Sequence, residues 1–493
     1  MSKFIESKYQ KVVRIYTTIG KGNAVIDAVA GSGKTTTLVN ILRGIPKNKK
    51  VLFLAFNKDI VEELNDRVGD LSNVTVKTLH SLGASILYKN FKSKLSDDKY
   101  KAYVNNRINN GMIKPSLEIP SESLLTYKNN ILKLVDLGRV NLSDDFGSLS
   151  NLADKHNIDL VNNEVIQASK VMTWGAKQVD VMDFTDMIFL PNVKAVKCPQ
   201  YDWVFIDECQ DLSAAQRELF LKCVKPKGRF IAVGDPRQAI YGFAGADSDS
   251  FNLLKSLPNT VKLPLSICYR CDSKIIDLAK TIVPQIEARP SASEGVVELE
   301  DKVENIKDGD MVLCRVTAPL VALCMKYIST GVKAYVKGKD IGANLINIIK
   351  KTNRKTMPEV FDRMQRELDR ISTKVQSKTK CSESEARDSD MYKSYEDKMN
   401  AIEVVANGIE SAQEVMNTIS TIFSDDEKNG ICLSTIHKSK GLESDRVFIL
   451  CPEKLYLKHC MSVPWMAEQE KNLVYVAYTR AKHYLGFVRD FES

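Results

Sequence analysis

Two kinds of hydrophobic pattern alternate along this chain. Short runs that are apolar on both faces, NAVIDAVA at 23–30, VLFLAF at 51–56 and WVFIDE at 203–208, stand between longer stretches with helical spacing. A strand that is apolar on both sides must be covered on both sides, which predicts buried parallel strands with helices packed over them. A second set follows at MVLCRV (311–316), ICLSTI (431–436), RVFILC (446–451) and YLGFVR (484–489), again with helical segments between. Two such groups predict an α/β chain of two lobes, each with a parallel sheet.

Each lobe is interrupted. The stretch from about 85 to 175 is polar, helical in pattern and free of strand-like runs, which predicts a helical insertion in the first lobe. In the second, Met357, Phe361, Met364, Leu368, Ile371 and Val375 are spaced by alternating steps of four and three, the seam of a coiled coil. A helix-poor link, SKTKCSESE at 377–385, separates them from Met391, Tyr395, Met399, Ile402, Val405 and Ile409. Two helices folded back as an antiparallel hairpin are expected, serving as a wedge against a duplex, a dock for a partner or a brace for the lobe. The predicted division is a first lobe from 1–84 and 176–264, its insertion at 85–175, a second lobe from 265–350 and 411–493, and the hairpin at 351–410.

The candidate chemistry lies at the ends of the predicted strands. AVAGSGKT at 28–35 follows an apolar run and precedes the helical TTLVNILRG. In that setting the backbone from Ala28, Val29 and Ala30 through Gly31, Ser32, Gly33 and Thr36 can wrap phosphates, with Lys34 on the β and γ phosphates and the Thr35 hydroxyl on Mg2+. Ala28 stands where the general pattern has glycine. WVFIDECQD at 203–211 ends a buried strand in two carboxylates, so Asp207 can hold Mg2+ and Glu208 can polarise an attacking water. Together these predict an ATP-hydrolysing site that uses Mg2+.

Composition changes this picture little. The 493 residues, 44% of them apolar, exceed what one compact core requires. Seventy Lys and Arg against 62 Asp and Glu leave a net charge of +8, compatible with a phosphate-backbone partner. The eleven cysteines form no framework, and Cys268 and Cys271 have no second pair at zinc-site spacing, so free thiols in a reducing compartment are expected. No apolar run approaches the roughly 18 residues of a membrane span, and MSKFIESKYQKVV lacks a signal-peptide pattern. A cytoplasmic location without membrane contact is the expectation.

Further motifs follow, GDPRQAIYGFAGA at 234–246, LSICYRC at 265–271, STIHKSKGLE at 434–443 and EQEKNLVYVAYTRAK at 468–482, and in that order they resemble those of the UvrD/Rep-like superfamily 1 DNA helicases. GDPRQAIYGFAGA at 234–246 is similar to a motif in which Gln238 would sense the γ phosphate and Phe243, beside Tyr241, would stack on a base; the family usually has Trp there. LSICYRC at 265–271 resembles the motif opening the second lobe, which puts Tyr269 on adenine and Arg270 at the γ phosphate. STIHKSKGLE at 434–443 is similar to the motif linking nucleotide to DNA, with Glu443 at the ribose and Thr435, His437 and Lys438 near the strand backbone. EQEKNLVYVAYTRAK at 468–482 matches the last motif, which makes Arg480 a second arginine finger, although Lys471 and Asn472 stand where arginine is frequent. Gln10 lies where the family reads the adenine edge, and Asn57, Thr78 and His80, from FLAFNKDIVEEL and VKTLHSLG, are the carried-over strand contacts of the first lobe.

The resemblance implies two RecA-like lobes, with ATP bound between them drawing them together. It also implies a motor moving 3′ to 5′ on single-stranded DNA and acting at single-strand/duplex junctions in replication, repair or recombination. The coiled-coil seam can close within one chain or pair with another, and a monomer is the expectation. Two other outcomes stay open: a translocase that strips proteins from DNA or RNA without unwinding, and a nucleic-acid-binding recruitment protein with a dead ATPase. A fused nuclease is not expected after Arg480, where only AKHYLGFVRDFES follows.

Overall fold

The computed structural model describes residues 6–116, 118, 123–156, 158–240, 249–425, 429–457, 460–461, 464–489 and 491. They form two compact units that divide between Ser266 and Ile267. No described helix is long and apolar enough to cross a membrane.

The first unit begins with α1 (Lys8–Ile19), β1 (Asn23–Ala28), α2 (Lys34–Arg43), β2 (Val51–Ala55), α3 (Lys58–Val68) and β3 (Val74–Thr78). A mostly helical stretch follows: α4 (Leu79–Phe91), β4 (Lys94–Leu95), α5 (Lys99–Asn109), α6 (Ser123–Asn141), α7 (Phe146–Lys155), α8 (Glu164–Lys177), β5 (Val181–Met182) and α9 (Asp186–Val193). The unit is completed by β6 (Tyr201–Ile206), α10 (Ala214–Leu221), β7 (Val224–Gly234), α11 (Ser250–Ser256) and β8 (Thr260–Leu265). Among the described residues these give a six-stranded parallel sheet in the order β3-β2-β6-β7-β1-β8. Strand periodicity explains its two covered faces: Ala24, Ile26, Val51 and Phe53 enter one apolar core, and Val25, Leu52 and Leu54 enter the other. The chain leaves β1 toward β2 and leaves β7 for β8 in the opposite direction, so β1 stands at the point where connections diverge, the usual place for a ligand in such sheets.

The helical stretch has its own core, in which Tyr127, Ile131, Leu134 and Val135 of α6 meet Leu149 and Val171. Inside it lies a buried charge network. Arg139, fully buried, pairs with Asp183 at 2.7 Å, with Asp186 at 3.0 Å and with Asp136, and stacks over the Tyr100 ring. Lys99 reaches the other oxygen of Asp186 at 2.6 Å. One expectation needs correcting: the stretch is not strand-free, because Lys94–Leu95 pairs in parallel with Val181–Met182. Two residues are too short to produce an alternating pattern, and their pairing is set by tertiary contacts.

The second unit opens with β9 (Ile267–Cys268), α12 (Ser273–Ala279), β10 (Glu287–Ala288), β11 (Val296–Asp301), β12 (Met311–Cys314), α13 (Ala318–Ser329), β13 (Ala334–Lys337) and α14 (Lys339–Thr352). Then come α15 (Met357–Thr379), α16 (Glu383–Arg387), α17 (Asp390–Ala406) and α18 (Ala412–Ile422). It ends in β14 (Phe423–Ser424), β15 (Ile431–Thr435), β16 (Ser444–Leu450), α19 (Pro464–Tyr478) and β17 (Ala481–Val488). Seven of the described strands make a parallel sheet in the order β11-β17-β16-β12-β15-β13-β14, and β9 pairs in parallel with β10 apart from it.

Helices α15 and α17 run antiparallel. An antiparallel bridge joins Thr356 to Ser411 at their root, while Leu368 and Ile371 meet Tyr392 farther out. Met357, Val360 and Met364 of α15 and Ala401, Ile402 and Val405 of α17 belong to the same apolar core as Val312 and Leu433 of the sheet. The Asp397 carboxylate accepts from two backbone N–H groups at the N-terminus of α13, that of Thr317, shared between its two oxygens, and that of Ala318. The root therefore braces the lobe. The link at 377–385 is more helical than expected, because α15 continues to Thr379 and α16 starts at Glu383. Its signal was Ser382 followed three residues on by Glu385, which form a capping box.

Candidate functional site

In the first unit the phosphate loop follows β1. Gly31 and Gly33 have φ of +64° and +73°, a region where a side chain would be strained. Gly33 precedes α2 and offers no side-chain cap, so amides of the first turn remain open to an anion. The Ser32 hydroxyl is buried and has no hydrogen-bond partner among the described residues, as fits a loop built to enclose phosphate oxygens.

Around this loop the expected residues converge. Lys34 Nζ lies 2.8 Å from Glu208 Oε1, and the Thr35 hydroxyl lies 3.5 Å from Asp207 Oδ2. Burial alone would depress the Lys34 pKa, but Glu208, Asp207 and Asp235 outweigh it and hold the ammonium above its ordinary value. Burial, with Glu208 adding to it, pushes the Asp207 carboxyl up to about 7. Glu208 adopts a left-handed backbone with φ of +52°, which costs a non-glycine residue about 1–2 kcal/mol. It is held there by Lys34 and by Gln210, whose Nε2 donates to Glu208 Oε2 at 2.6 Å. Gln210 Oε1 accepts from the Asp235 amide at 3.0 Å, and Gln238 Nε2 donates to Asp235 Oδ2 at 2.8 Å.

Gln10 is buried, and its Nε2 donates to the Thr37 hydroxyl on α2 at 3.1 Å while its Oε1 caps α1. Thr36 points elsewhere, its hydroxyl accepting from Arg67 at 3.0 Å. Asn57 and Thr78 are the N-caps of α3 and α4, which places both side chains at helix starts where β2 and β3 end. His80 stacks on Phe184 with ring centroids 4.0 Å apart, and Phe184 is 58% exposed. Burial pushes the His80 pKa down to about 4. Phe56, beside Asn57, is another exposed aromatic. Tyr241 and Phe243 lie outside the described residues.

In the second unit Arg270 Nε lies 2.6 Å from Glu443 Oε2, and Arg270 Nη1 donates to the Thr479 carbonyl at 3.0 Å. Arg480 is buried and donates to the carbonyls of Val476 and Leu442, each at 2.9 Å. Arg270, Glu443 and Arg480 are thus brought together, with Tyr269 partly exposed next to Arg270. Burial works to raise the Glu443 carboxyl, but Arg270 and Lys482 outweigh it and hold the group below the usual range.

Thr435 and His437 line a groove of about 1210 Å3 together with Arg315, Lys393, Asp397 and Lys398. Burial, then Arg315 and Lys438, pushes His437 down to about 3, so it is neutral at physiological pH. Lys438 pairs with Asp340 at 2.7 Å, and Arg315 is held in a fork by buried Glu470 at 2.6 Å. All eleven cysteines are free thiols.

Sequence reasoning did not single out Asp235 and Arg237, which pair at 2.9 Å, or Phe184 and Arg315, although the structure sets them beside the expected residues. The acidic residue ahead of Gln238 in GDPRQ was a usable signal for the first two. Phe184 gave none, because its exposure depends on the tertiary fold.

A parallel sheet with a glycine-rich phosphate loop after its first strand and two carboxylates at the end of β6 is the P-loop nucleotide-hydrolase fold. The chain belongs to the UvrD/REP helicase family: the model of the UvrD/REP helicase N-terminal domain matches residues 10–258, half of the chain, and that of the UvrD-like helicase C-terminal domain matches 430–488.

Among curated relatives, the ATP-dependent DNA helicase Rep of Escherichia coli (strain K12) is 24% identical over 337 residues, 61% of this chain and 47% of that protein. The probable DNA helicase II homolog of Mycoplasma pneumoniae is 26% identical over 332 residues, 59% of this chain and 44% of that protein. The ATP-dependent DNA helicase PcrA of Leuconostoc citreum is 23% identical over 294 residues, 53% and 37% respectively. The matched regions span less than half the length of these relatives. A solved structure of the Arterivirus nonstructural protein 10 helicase aligns with 96% of this chain and 60% of that one at 12% identity and a TM-score of 0.34, too loose a likeness to bear on the fold.

Proposed function

We propose that the chain is an ATP-driven motor that moves along single-stranded DNA, 3′ to 5′, and separates strands at single-strand/duplex junctions, acting as a monomer in the cytoplasm. The observation that carries the reading is the registry around the phosphate loop, where Lys34 meets Glu208, Thr35 faces Asp207 and the Ser32 hydroxyl awaits a partner. Thr35 and Asp207 are the residues that would hold Mg2+, which would supply positive charge against the charge that develops on the phosphates. Lys34 and the α2 amides orient the phosphates, Glu208 accepts the proton of the attacking water, and Gln238 holds the γ-phosphate side. Arg270 and Arg480 supply the cations that stabilise the transferred phosphoryl group.

Strand contact is assigned to Asn57, Thr78, the His80–Phe184 stack and Phe56 in the first unit, to Thr435, His437 and Lys438 in the second, and to Tyr241 and Phe243. Support comes from the stacked and exposed rings, which suit bases of any identity. In this reading 1–84 with 176–264 and 265–350 with 411–493 are the lobes, and 85–175 and 351–410 are their insertions.

The test is ATP hydrolysis by wild type and Lys34→Ala, with and without single-stranded DNA, beside unwinding of duplexes tailed at either end. Strand-stimulated hydrolysis that is lost in the variant, with unwinding that needs a 3′ tail, is expected. Hydrolysis without unwinding would leave a translocase, and strand binding without hydrolysis a recruitment protein.

A further inference from the structure

The one charged residue on β1 is Asp27, placed immediately before the phosphate loop and 8% exposed. A carboxylate at that depth has to be paired. It has two partners: Arg237 Nη1 bonds its Oδ1, and Lys262 Nζ, from the adjacent β8, lies 2.6 Å from its Oδ2. On its other side the same guanidinium forms an ion pair with Asp235, whose Oδ1 lies 2.9 Å from Arg237 Nε without the alignment of a hydrogen bond and accepts the Arg237 backbone amide at 3.1 Å. The remaining oxygen of Asp235 accepts from Gln238.

These contacts form a continuous line from the phosphate-loop strand to the side-chain amide of Gln238. A second branch runs from the Asp235 amide through Gln210 to Glu208. Arg237 and Gln238 lie in a three-residue turn, Pro236–Gln238, closed by the Gln238 amide on the Asp235 carbonyl at 2.9 Å, and the Arg237 side chain ties that turn to β1. If stability were the only requirement, an apolar pair would fill position 27 as well, since its strand neighbours Val25 and Ile26 are apolar and fully buried. What a planar guanidinium between two carboxylates adds is direction.

We propose that Arg237 is a positioning residue: clamped between Asp27 and Asp235, it sets the Gln238 amide relative to the phosphate loop and so governs hydrolysis of the terminal phosphate rather than nucleotide affinity. This rests on the ATPase reading above and names a determinant within it. Lys34 and the α2 amides, which hold the nucleotide, are untouched by changes at 27 and 237.

The experiment is steady-state ATP hydrolysis with single-stranded DNA, plus binding of a fluorescent methylanthraniloyl-ATP and thermal melting, for wild type, Arg237→Met, Arg237→Lys and the double variant Asp27→Leu/Arg237→Met. Arg237→Met is expected to lose about 10–100-fold in kcat while KM and analogue affinity stay within about threefold. Arg237→Lys should recover only part of the rate, because a point charge replaces a fork. The double variant removes the Asp27 carboxylate along with its partner but keeps Asp235, so it should melt closer to wild type than Arg237→Met does and still be slow.

A double variant that regains both melting temperature and kcat would reduce the pair to a structural role and overturn the proposal, as would an unchanged kcat in Arg237→Met. A wild-type chain that hydrolyses no ATP would instead remove the ATPase reading, and this inference with it.

Discussion

Lys34 Nζ and Glu208 Oε1 are 2.8 Å apart, so the cation proposed to bind phosphate and the carboxylate proposed to act on water are paired with each other. In the proposed reading, phosphate and Glu208 compete for Lys34. Glu208→Gln removes the competitor and a negative charge, and is expected to bind ATP at least as tightly as wild type while kcat falls about 100-fold or more. Lys34→Ala should lose both affinity and rate. Steady-state kinetics with equilibrium nucleotide binding separate the two patterns, and equal loss of affinity in both variants would count against the assigned roles.

Arg270 is shared between Glu443 and the Thr479 carbonyl, a geometry that only a guanidinium can span. If Arg270 answers charge in the transition state, Arg270→Ala lowers kcat by about 1000-fold with little change in KM. Arg270→Lys is expected to restore less than a tenth of the lost rate. A parallel rise in KM would show that it binds the ground state equally well.

The buried network in the helical stretch makes a stability prediction. Arg139→Met strands Asp183 and the fully buried Asp186 with less positive charge, which costs about 3–5 kcal/mol. Removing the exposed Arg366–Asp362 pair should cost under about 1 kcal/mol. Denaturant unfolding followed by circular dichroism compares the two.

Two half-buried histidines set an acid limit. His80 is held near 4 and His437 near 3, both below the ordinary 6.5, so the folded chain keeps them neutral where the unfolded chain is charged. Their contribution is present above about pH 6.5 and is lost as pH falls toward the folded values. Melting at pH 7 and at about pH 5 should show a smaller acid loss for His80→Gln and for His437→Gln than for wild type.

Strand binding should depend on the His80–Phe184 stack. Phe184→Ala is expected to weaken affinity for single-stranded DNA by about 1–3 kcal/mol without altering the steep decline with salt that phosphate contacts impose. Fluorescence anisotropy at several salt concentrations reads both quantities. An unchanged affinity would take the ring out of the proposed strand path.

The parallel strands and the phosphate loop were legible because burial on both faces leaves unbroken apolar runs, as in VLFLA, and because glycine at 31 and 33 answers a local backbone need. Lys34, Asp207 and Glu208 could be named for the same reason: each terminates or follows such a run. The buried side of the network could not be read, since Asp27 and Arg237 meet across 210 positions of sequence and each alone resembles a surface charge. The capping roles of Asn57 and Thr78 were likewise hidden behind their resemblance to strand contacts, although Asn and Thr at a helix start are what elementary propensity favours. Pairing of Lys94–Leu95 with Val181–Met182 left no pattern, because two residues carry no period.

The hairpin root, where Thr356 bridges Ser411 and Met357, Val360, Ile402 and Val405 enter the core beneath the sheet, acts as a socket. Removing the whole insertion would open that core to water, so a deletion from 355 to 400 reports on folding before it reports on any role at DNA. Past Leu368 and before Tyr392 the helices pack mainly on each other, and there the length can be cut or extended with the socket left intact. The root therefore makes this lobe a modular mount: whatever enters at 356 and returns at 411 with those apolar residues in place can be exchanged for another attachment.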